Sequence, residues 1–120
     1  MSADLITVVC VRGLKPATAP AALIYIGRNG RHGWPRSPLA NPFKLATEAD
    51  RADVIDRYKV WLWEKIQAKN GAVVGELARI AAKVKAGEPV QLGCWCSPLP
   101  CHGDVVKAAV LWLCEGNSQA

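Results

Sequence analysis

The sequence lacks long hydrophobic runs, and no stretch approaches the roughly 20 consecutive apolar residues that a helix needs to cross a bilayer. Its first residues lack a basic segment followed by an apolar one, so they do not resemble a secretory signal. No low-complexity tract interrupts the 120 residues, and 51% hydrophobic with 21% charged side chains excludes a disordered chain. We therefore expect a cytoplasmic protein with no membrane partner, folded as one domain over residues 1–120 with a flexible tail at 116–120.

The common catalytic signatures are also missing. The sequence has no Ser-His-Asp order, no Gly-x-Gly-x-x-Gly, no Walker A motif and no recognisably spaced pair of carboxylates. Its five cysteines, an odd number, indicate reduced thiols in a cytosol rather than a disulfide framework. Cys10 and Cys114 lie in apolar runs and are expected in the core. These observations leave open whether the protein is an enzyme and which cofactor it uses.

Acidic residues are nearly absent from the first third of the chain. Residues 1–47 carry only Asp4 against six basic side chains, whereas the remainder is balanced, so the whole net charge of +5 lies in this part. Clustered cations in glycine- and proline-rich sequence favour an anionic partner, either a small phosphorylated molecule or nucleic acid. A basic surface without a specific partner is the alternative.

The apolar pattern predicts three strands and three helices. The expected strands lie at residues 5–11, 22–26 and 89–95, and the expected helices at 48–68, 72–86 and 101–114. The nearly uniform Leu5–Val11 run is typical of a strand buried on both faces. Thr47 is the predicted N-cap of the first helix, and Gly87 is predicted to end the second. The order β-β-loop-α-α-β-α predicts an α/β fold, a single small two-layer or three-layer sandwich with a mainly parallel sheet whose last strand is central.

Two arginines mark the ends of the first two strands. Arg12 and Arg28 each stand beside a glycine, and parallel strands would place both at the edge where α/β domains bind ligands. The irregular segment over residues 27–46 that follows is long enough to be functional. Within it, Asn41-Pro-Phe43 predicts a fixed turn.

The turn before the last predicted helix holds the densest chemistry of the sequence. Strand alternation places Cys94 and Cys96 on one face, and Cys101 and His102 fall at the start of the helix. The helix dipole favours negative charge there, so we expect Cys101 to ionise more readily than a free thiol. The same helix start, through N–H groups such as that of Gly103, is also a candidate anion site.

Three interpretations of this turn stay open. In the first, Cys101 is a nucleophile or redox group, with His102 as its base and Asp104 as an orienting or capping group. In the second, a metal such as zinc is held by four ligands, which would be Cys94, Cys96, Cys101 and His102; the Cys-x-Cys spacing is unusual for such a site. In the third, the cysteines are small apolar side chains that pack a junction between strand and helix.

Several motifs, taken in order, resemble those of one family. They are Tyr25–Arg28, Asn41–Phe43, Arg51 leading to Tyr58 and Trp61-Leu62, and Leu92–Val106 with its Cys-Trp-Cys…Cys-His-Gly-Asp element. Over residues 7–112 the sequence resembles the domain-of-unknown-function family numbered 4326, which is found in bacteria and phages. The family commonly has glycine before Asn-Pro-Phe, where this sequence has Ala40. The resemblance implies no particular activity, but it indicates which residues matter, and we count Tyr25, Asn41 and Arg51 among the expected ligand-binding residues.

Together these patterns predict a Cys/His/Arg pocket at the carboxyl-terminal edge of the sheet. It would bind a nucleotide-like or nucleic-acid-derived phosphorylated ligand, with Arg12, Arg28 and Arg51 holding its charge. The alternative is a zinc- or iron-stabilised, non-catalytic module that binds nucleic acid through its basic first part. The sequence predicts no particular oligomeric state.

Overall fold

The described chain contains the strands and helices that the sequence predicts. The computed structural model describes residues 2–28, 33–43, 46–95 and 101–115. The strands are β1 (Ile6–Cys10), β2 (Leu23–Tyr25) and β3 (Val90–Cys94). The helices are α1 (Arg51–Gln67), α2 (Gly71–Lys85) and α3 (His102–Cys114). The predicted tail at 116–120 lies outside the described residues, and in the described ranges no helix is long and apolar enough to cross a membrane.

The three strands form one parallel sheet with β3 at its centre. Their order is β1-β3-β2, and both neighbours run parallel to β3. This confirms the predicted class and the central position of the last strand. The prediction that the first strand is buried on both faces is wrong, since β1 is an edge strand with Thr7 exposed and Val9 half-buried. A uniformly apolar run does not separate edge from centre, because both positions favour β-branched residues.

The helices cover one face of this sheet, and irregular segments cover the other. Leu92 and Cys94 of β3 join a buried cluster to which all three helices contribute. On the opposite face, Tyr25 stacks on Trp34 with ring centroids 4.8 Å apart, in a small second cluster that includes Val11. The molecule is therefore a two-layer α/β sandwich, one of the two predicted architectures.

The helix ends follow local side-chain chemistry. Asn70 accepts a hydrogen bond from the Val73 N–H (3.0 Å) at the start of α2, and Gly87, with φ of +85°, follows its end as predicted. Thr47 does not cap α1, because a 3₁₀ turn at Glu48–Asp50 comes first. The Thr47 hydroxyl instead donates to the Asp50 carboxylate at 3.1 Å.

Two glycines allow close packing on the two faces of the sheet, Gly93 on the face opposite the helices and Gly103 where α3 meets β1. A Cβ on Gly93 would lie 2.7 Å from Val11 Cγ1, and one on Gly103 would lie 2.7 Å from Val8 Cγ1. Neither position has room for a side chain. The first turn of α3 therefore lies directly against β1, beside the carboxyl-terminal edge of the sheet.

We expect Gly93→Ala to lower the free energy of unfolding by about 1–3 kcal/mol, because the added methyl group overpacks a stiff, buried valine. Urea unfolding measures the change. Gly75→Ala is the matched control, since Gly75 is an exposed residue of α2 with open space around it. That control should raise stability by about 0.5–1 kcal/mol through helix propensity, and equal behaviour of the two variants would contradict the packing described.

Candidate functional site

A cavity of about 230 Å³ lies at the carboxyl-terminal edge of the sheet. It forms where the ends of β2 and β3 meet the starts of α1 and α3, which is the region where parallel α/β sheets bind ligands. The described lining residues are Gly27, Arg28, Asn41, Phe43, Arg51, Val54, Ile55, Cys94, Trp95, Cys101 and His102. None of these is acidic, and two are arginines.

The segment after β2 is shaped by a tyrosine that folds back on its own chain. The Tyr25 hydroxyl donates to the Arg28 carbonyl (2.5 Å) and accepts from Trp95 Nε1 (2.9 Å). A Cβ on Gly27 would lie 2.5 Å from the Tyr25 hydroxyl oxygen, so only glycine fits there. Tyr25, predicted as a ligand contact, is not among the lining residues and instead holds the backbone of Arg28 in place.

Arg28 in turn holds the loop that forms the opposite wall. Its Nε donates to the Asn41 carbonyl (2.6 Å) and its Nη2 to the Phe43 carbonyl (2.7 Å). The Asn41 side chain accepts from the Phe43 N–H at 2.9 Å, which confirms the predicted turn. Ala40, where glycine is common in the family, does not have a positive φ, so alanine fits this backbone.

Arg51 brings a second guanidinium group to the cavity from the first residue of α1. It forms a two-bond ion pair with Glu48, with N–O distances of 2.9 and 2.8 Å. The hydrogen bond from Arg51 lowers the pKa of the Glu48 carboxyl group. Glu48 is exposed and does not line the cavity, so its carboxylate meets Arg51 from outside.

His102 is buried at the base of α3. Its Nε2 lies 2.8 Å from the Ile26 carbonyl oxygen, which can only accept, so Nε2 carries the proton. Burial lowers the pKa of His102; the bond to Ile26 opposes this, and the charge of Arg28 adds to it. The ring packs edge-on against Tyr58, 5.0 Å between centroids. At neutral pH His102 therefore presents a neutral ring whose Nδ1 is an acceptor.

Two cysteines meet where β3 ends and α3 begins. Cys94 Sγ lies 3.3 Å from Cys101 Sγ, and Cys101 Sγ accepts from the Gly103 N–H at 3.3 Å. The exposed Asp104 accepts from the Cys101 N–H at 3.2 Å and completes a capping box, so its carboxylate stabilises the helix start. Neither Gly103 nor Asp104 lines the cavity.

The structure brings together six of the residues that the sequence singled out, namely Arg28, Asn41, Arg51, Cys94, Cys101 and His102. Arg12, by contrast, does not line the cavity. It is exposed after β1, and β3 separates β1 from β2 in the sheet. Cys96 lies outside the described residues. Cys10 and Cys114, expected in the core, are half-buried.

The apolar part of the wall was not predicted. It comes from four residues, Phe43, Val54, Ile55 and Trp95. Helical spacing places Val54 and Ile55 on the apolar face of α1, but it carries no signal that this part of the face lines a cavity. The sequence contains five tryptophans and one phenylalanine, and this surplus indicates aromatic residues with a role outside the core.

The described residues include no group of three or more His, Cys, Asp or Glu side chains placed to hold a metal. The metal interpretation relies on Cys96 as a further ligand, and Cys96 is outside the described ranges. It also relies on His102, whose Nε2 already donates to the Ile26 carbonyl. Of that predicted ligand set, the described chain brings together Cys94 and Cys101, whose sulfurs are 3.3 Å apart, and His102, which lines the same cavity.

These features define a small two-layer α/β domain with a cationic, partly apolar cavity at the carboxyl-terminal edge of a parallel sheet. The chain belongs to the family described as Domain of unknown function (DUF4326), whose model matches residues 9–112, and this confirms the family indicated by the sequence motifs. A search of curated proteins and a search of solved structures each returned no match. The family description names no activity, so a functional proposal has to come from the cavity.

The neutral state of His102 predicts a pH dependence of stability. Its pKa is lower in the folded chain than the value of 6.5 for a free histidine, so the unfolded chain takes up a proton first as the pH falls. The free energy of unfolding should therefore decrease as the pH falls below about 6.5, by at most about 1.4 kcal/mol per pH unit, and level off below the folded pKa. Urea unfolding over a series of pH values measures this.

His102→Gln should remove this part of the pH dependence, because glutamine does not titrate. His32→Gln replaces the other histidine of the sequence and serves as the control. An unchanged pH profile in His102→Gln would contradict the assignment of a buried, neutral His102.

Proposed function

We propose that the protein binds a small phosphorylated ligand with a planar, nucleotide-like group in the cavity at the carboxyl-terminal edge of the sheet. The observation that carries this proposal is the environment of Arg28. Arg28 lines the cavity, its guanidinium donates to two carbonyls, and none of the ion pairs among the described residues involves it. Carbonyl dipoles hold this half-buried cation without neutralising it, which favours an anionic ligand.

Arg51 supports the same conclusion from the other side of the cavity. Its partner Glu48 is 70% exposed, and water competes with Arg51 for the Glu48 carboxylate, which weakens the pair. The Arg51 guanidinium can exchange the Glu48 carboxylate for a phosphate in the cavity, since guanidinium groups bind both anions through parallel N–H bonds. Arg28 and Arg51 together therefore suit an anion with several acceptor oxygens.

The remaining wall suits a flat, largely apolar group. Phe43 and Trp95 supply aromatic surface, and Val54 and Ile55 supply aliphatic surface. A nucleobase combines flat apolar faces with polar edges, and the neutral ring of His102 offers such an edge a hydrogen-bond partner. At about 230 Å³ the cavity is somewhat below the roughly 300–1,000 Å³ usual for small-molecule sites, which favours a ligand of mononucleotide size or smaller.

Arg51→Gln tests this proposal. Nucleoside 5′-monophosphates, the matching nucleosides and inorganic phosphate are titrated by calorimetry into the wild type and the variant. We expect a monophosphate to bind more tightly than its nucleoside or phosphate alone. Arg51→Gln should weaken that binding about ten- to hundred-fold, because hydrogen bonds to a charged group contribute about 1.5–3 kcal/mol.

Arg57→Gln is the matched control. Arg57 lies on the same helix, is exposed, pairs with Asp53 and does not line the cavity. Equal weakening by both substitutions, or no binding of any monophosphate, would contradict the proposal. Oligonucleotide binding that weakens steeply with salt, in place of monophosphate binding, would favour the nucleic-acid module instead.

A further inference from the structure

Two buried thiols meet in the wall of the cavity. Cys94 Sγ and Cys101 Sγ are 3.3 Å apart, and their residues are 1% and 3% exposed. The sulfurs of a disulfide are about 2.0 Å apart, so the pair has to approach by little more than about 1 Å to form one. The structure therefore places these thiols close to bonding distance.

Both cysteines are held by regular structure. Cys94 is the last residue of β3, and Cys101 directly precedes α3. Because Gly103 packs tightly on Val8, the start of α3 stays close to the sheet. Closing a bond between the two sulfurs therefore requires local side-chain movement and leaves the strand and the helix in place.

Helix capping does not explain why residue 101 is a cysteine. Serine, threonine, aspartate and asparagine are preferred before a helix because oxygen accepts hydrogen bonds better than sulfur does. The Cys101 sulfur accepts from the Gly103 N–H at 3.3 Å, at the positive end of α3. The helix dipole and this N–H group favour negative charge on the Cys101 sulfur, the form in which cysteine reacts, whereas burial and the nearby Asp104 carboxylate oppose it.

We propose that Cys94 and Cys101 form a reversible redox site, which a hydroperoxide oxidises to an intramolecular disulfide. The Cys101 thiolate attacks one oxygen of hydrogen peroxide, the O–O bond breaks, and the departing hydroxide takes up the proton that Cys101 released. Cys94 sulfur then attacks the resulting sulfenic acid, the S–O bond breaks, and the hydroxyl group leaves as water with the Cys94 proton. The thiol pair loses two electrons, and the peroxide is reduced to two molecules of water.

This site does not depend on the proposed nucleotide-like ligand. Both thiols line the cavity, which gives a small hydroperoxide access to them. Hydrogen peroxide oxidises the thiols and a disulfide is the product, and neither requires the nucleotide-like ligand to be bound. The redox proposal and the ligand proposal therefore succeed or fail separately.

Peptide mapping of Cys96→Ser protein tests the proposal. Trypsin cleaves after Lys85 and Lys107 but not between them, so in this variant the peptide 86–107 contains only Cys94 and Cys101 as thiols. The protein is treated with hydrogen peroxide, alkylated with iodoacetamide, digested and analysed by mass spectrometry. We expect the peptide to lose two hydrogen atoms and to take up no iodoacetamide, and dithiothreitol to restore both thiols. The double variant Cys96→Ser/Cys114→Ser should behave identically.

Other products would overturn the proposal. One such product is a peptide 86–107 in which iodoacetamide still alkylates both cysteines. Another is peptide 86–107 with Cys101 oxidised to sulfinic acid. A third is a disulfide from Cys10 that joins peptide 1–12 to peptide 86–107. The experiment changes neither thiol of the pair, so a folding defect at these positions cannot imitate a negative result. In Cys94→Ser/Cys96→Ser, oxidation of Cys101 should stop at a sulfenic acid that dimedone traps.

Discussion

The pairing of β3 with both β1 and β2 is the interaction on which the rest of the structure depends. The ladder continues beyond the strands, since the Val11 N–H donates to the Cys94 carbonyl and the Ile26 N–H to the Gly93 carbonyl, at 2.8 and 3.0 Å. Both segments that leave the sheet therefore start from fixed positions beside the end of β3. Because Ile26 is fixed there, Gly27 and Arg28 border the same cavity as Cys94 and Trp95.

Backbone carbonyls organise the cavity more than carboxylates do. Arg28 donates to the carbonyls of Asn41 and Phe43, and His102 donates to that of Ile26. Buried polar groups have to be hydrogen-bonded, and loop carbonyls that face away from regular structure need donors themselves. The side chains and the loop thus hold each other in place. A neutral His102, and an Arg28 held by carbonyls instead of carboxylates among the described residues, are consequences of this arrangement.

The two proposals concern the same cavity and rest on different chemistry. Arg28 and Arg51 carry charge toward a bound anion, whereas Cys94 and Cys101 are adjacent sulfurs at the base of α3. Their proximity follows from the topology, because a parallel strand that leads into a helix brings its last residue to the helix start. A single cavity can therefore hold both a ligand and a redox-active pair.

The sequence by itself determined the elements, the parallel order and the family, because periodicity, glycine and proline positions and motif order are local properties of the chain. It also singled out Arg28, Asn41, Cys94, Cys101 and His102, whose residue types are chemically distinctive. Only the tertiary structure decided that β1 is an edge strand, that Arg12 lies outside the cavity, and that Val54 and Ile55 line it. Those facts depend on the order of the strands in the sheet and on where α1 packs relative to the sheet edge. Such long-range packing cannot be predicted from the local spacing of residues.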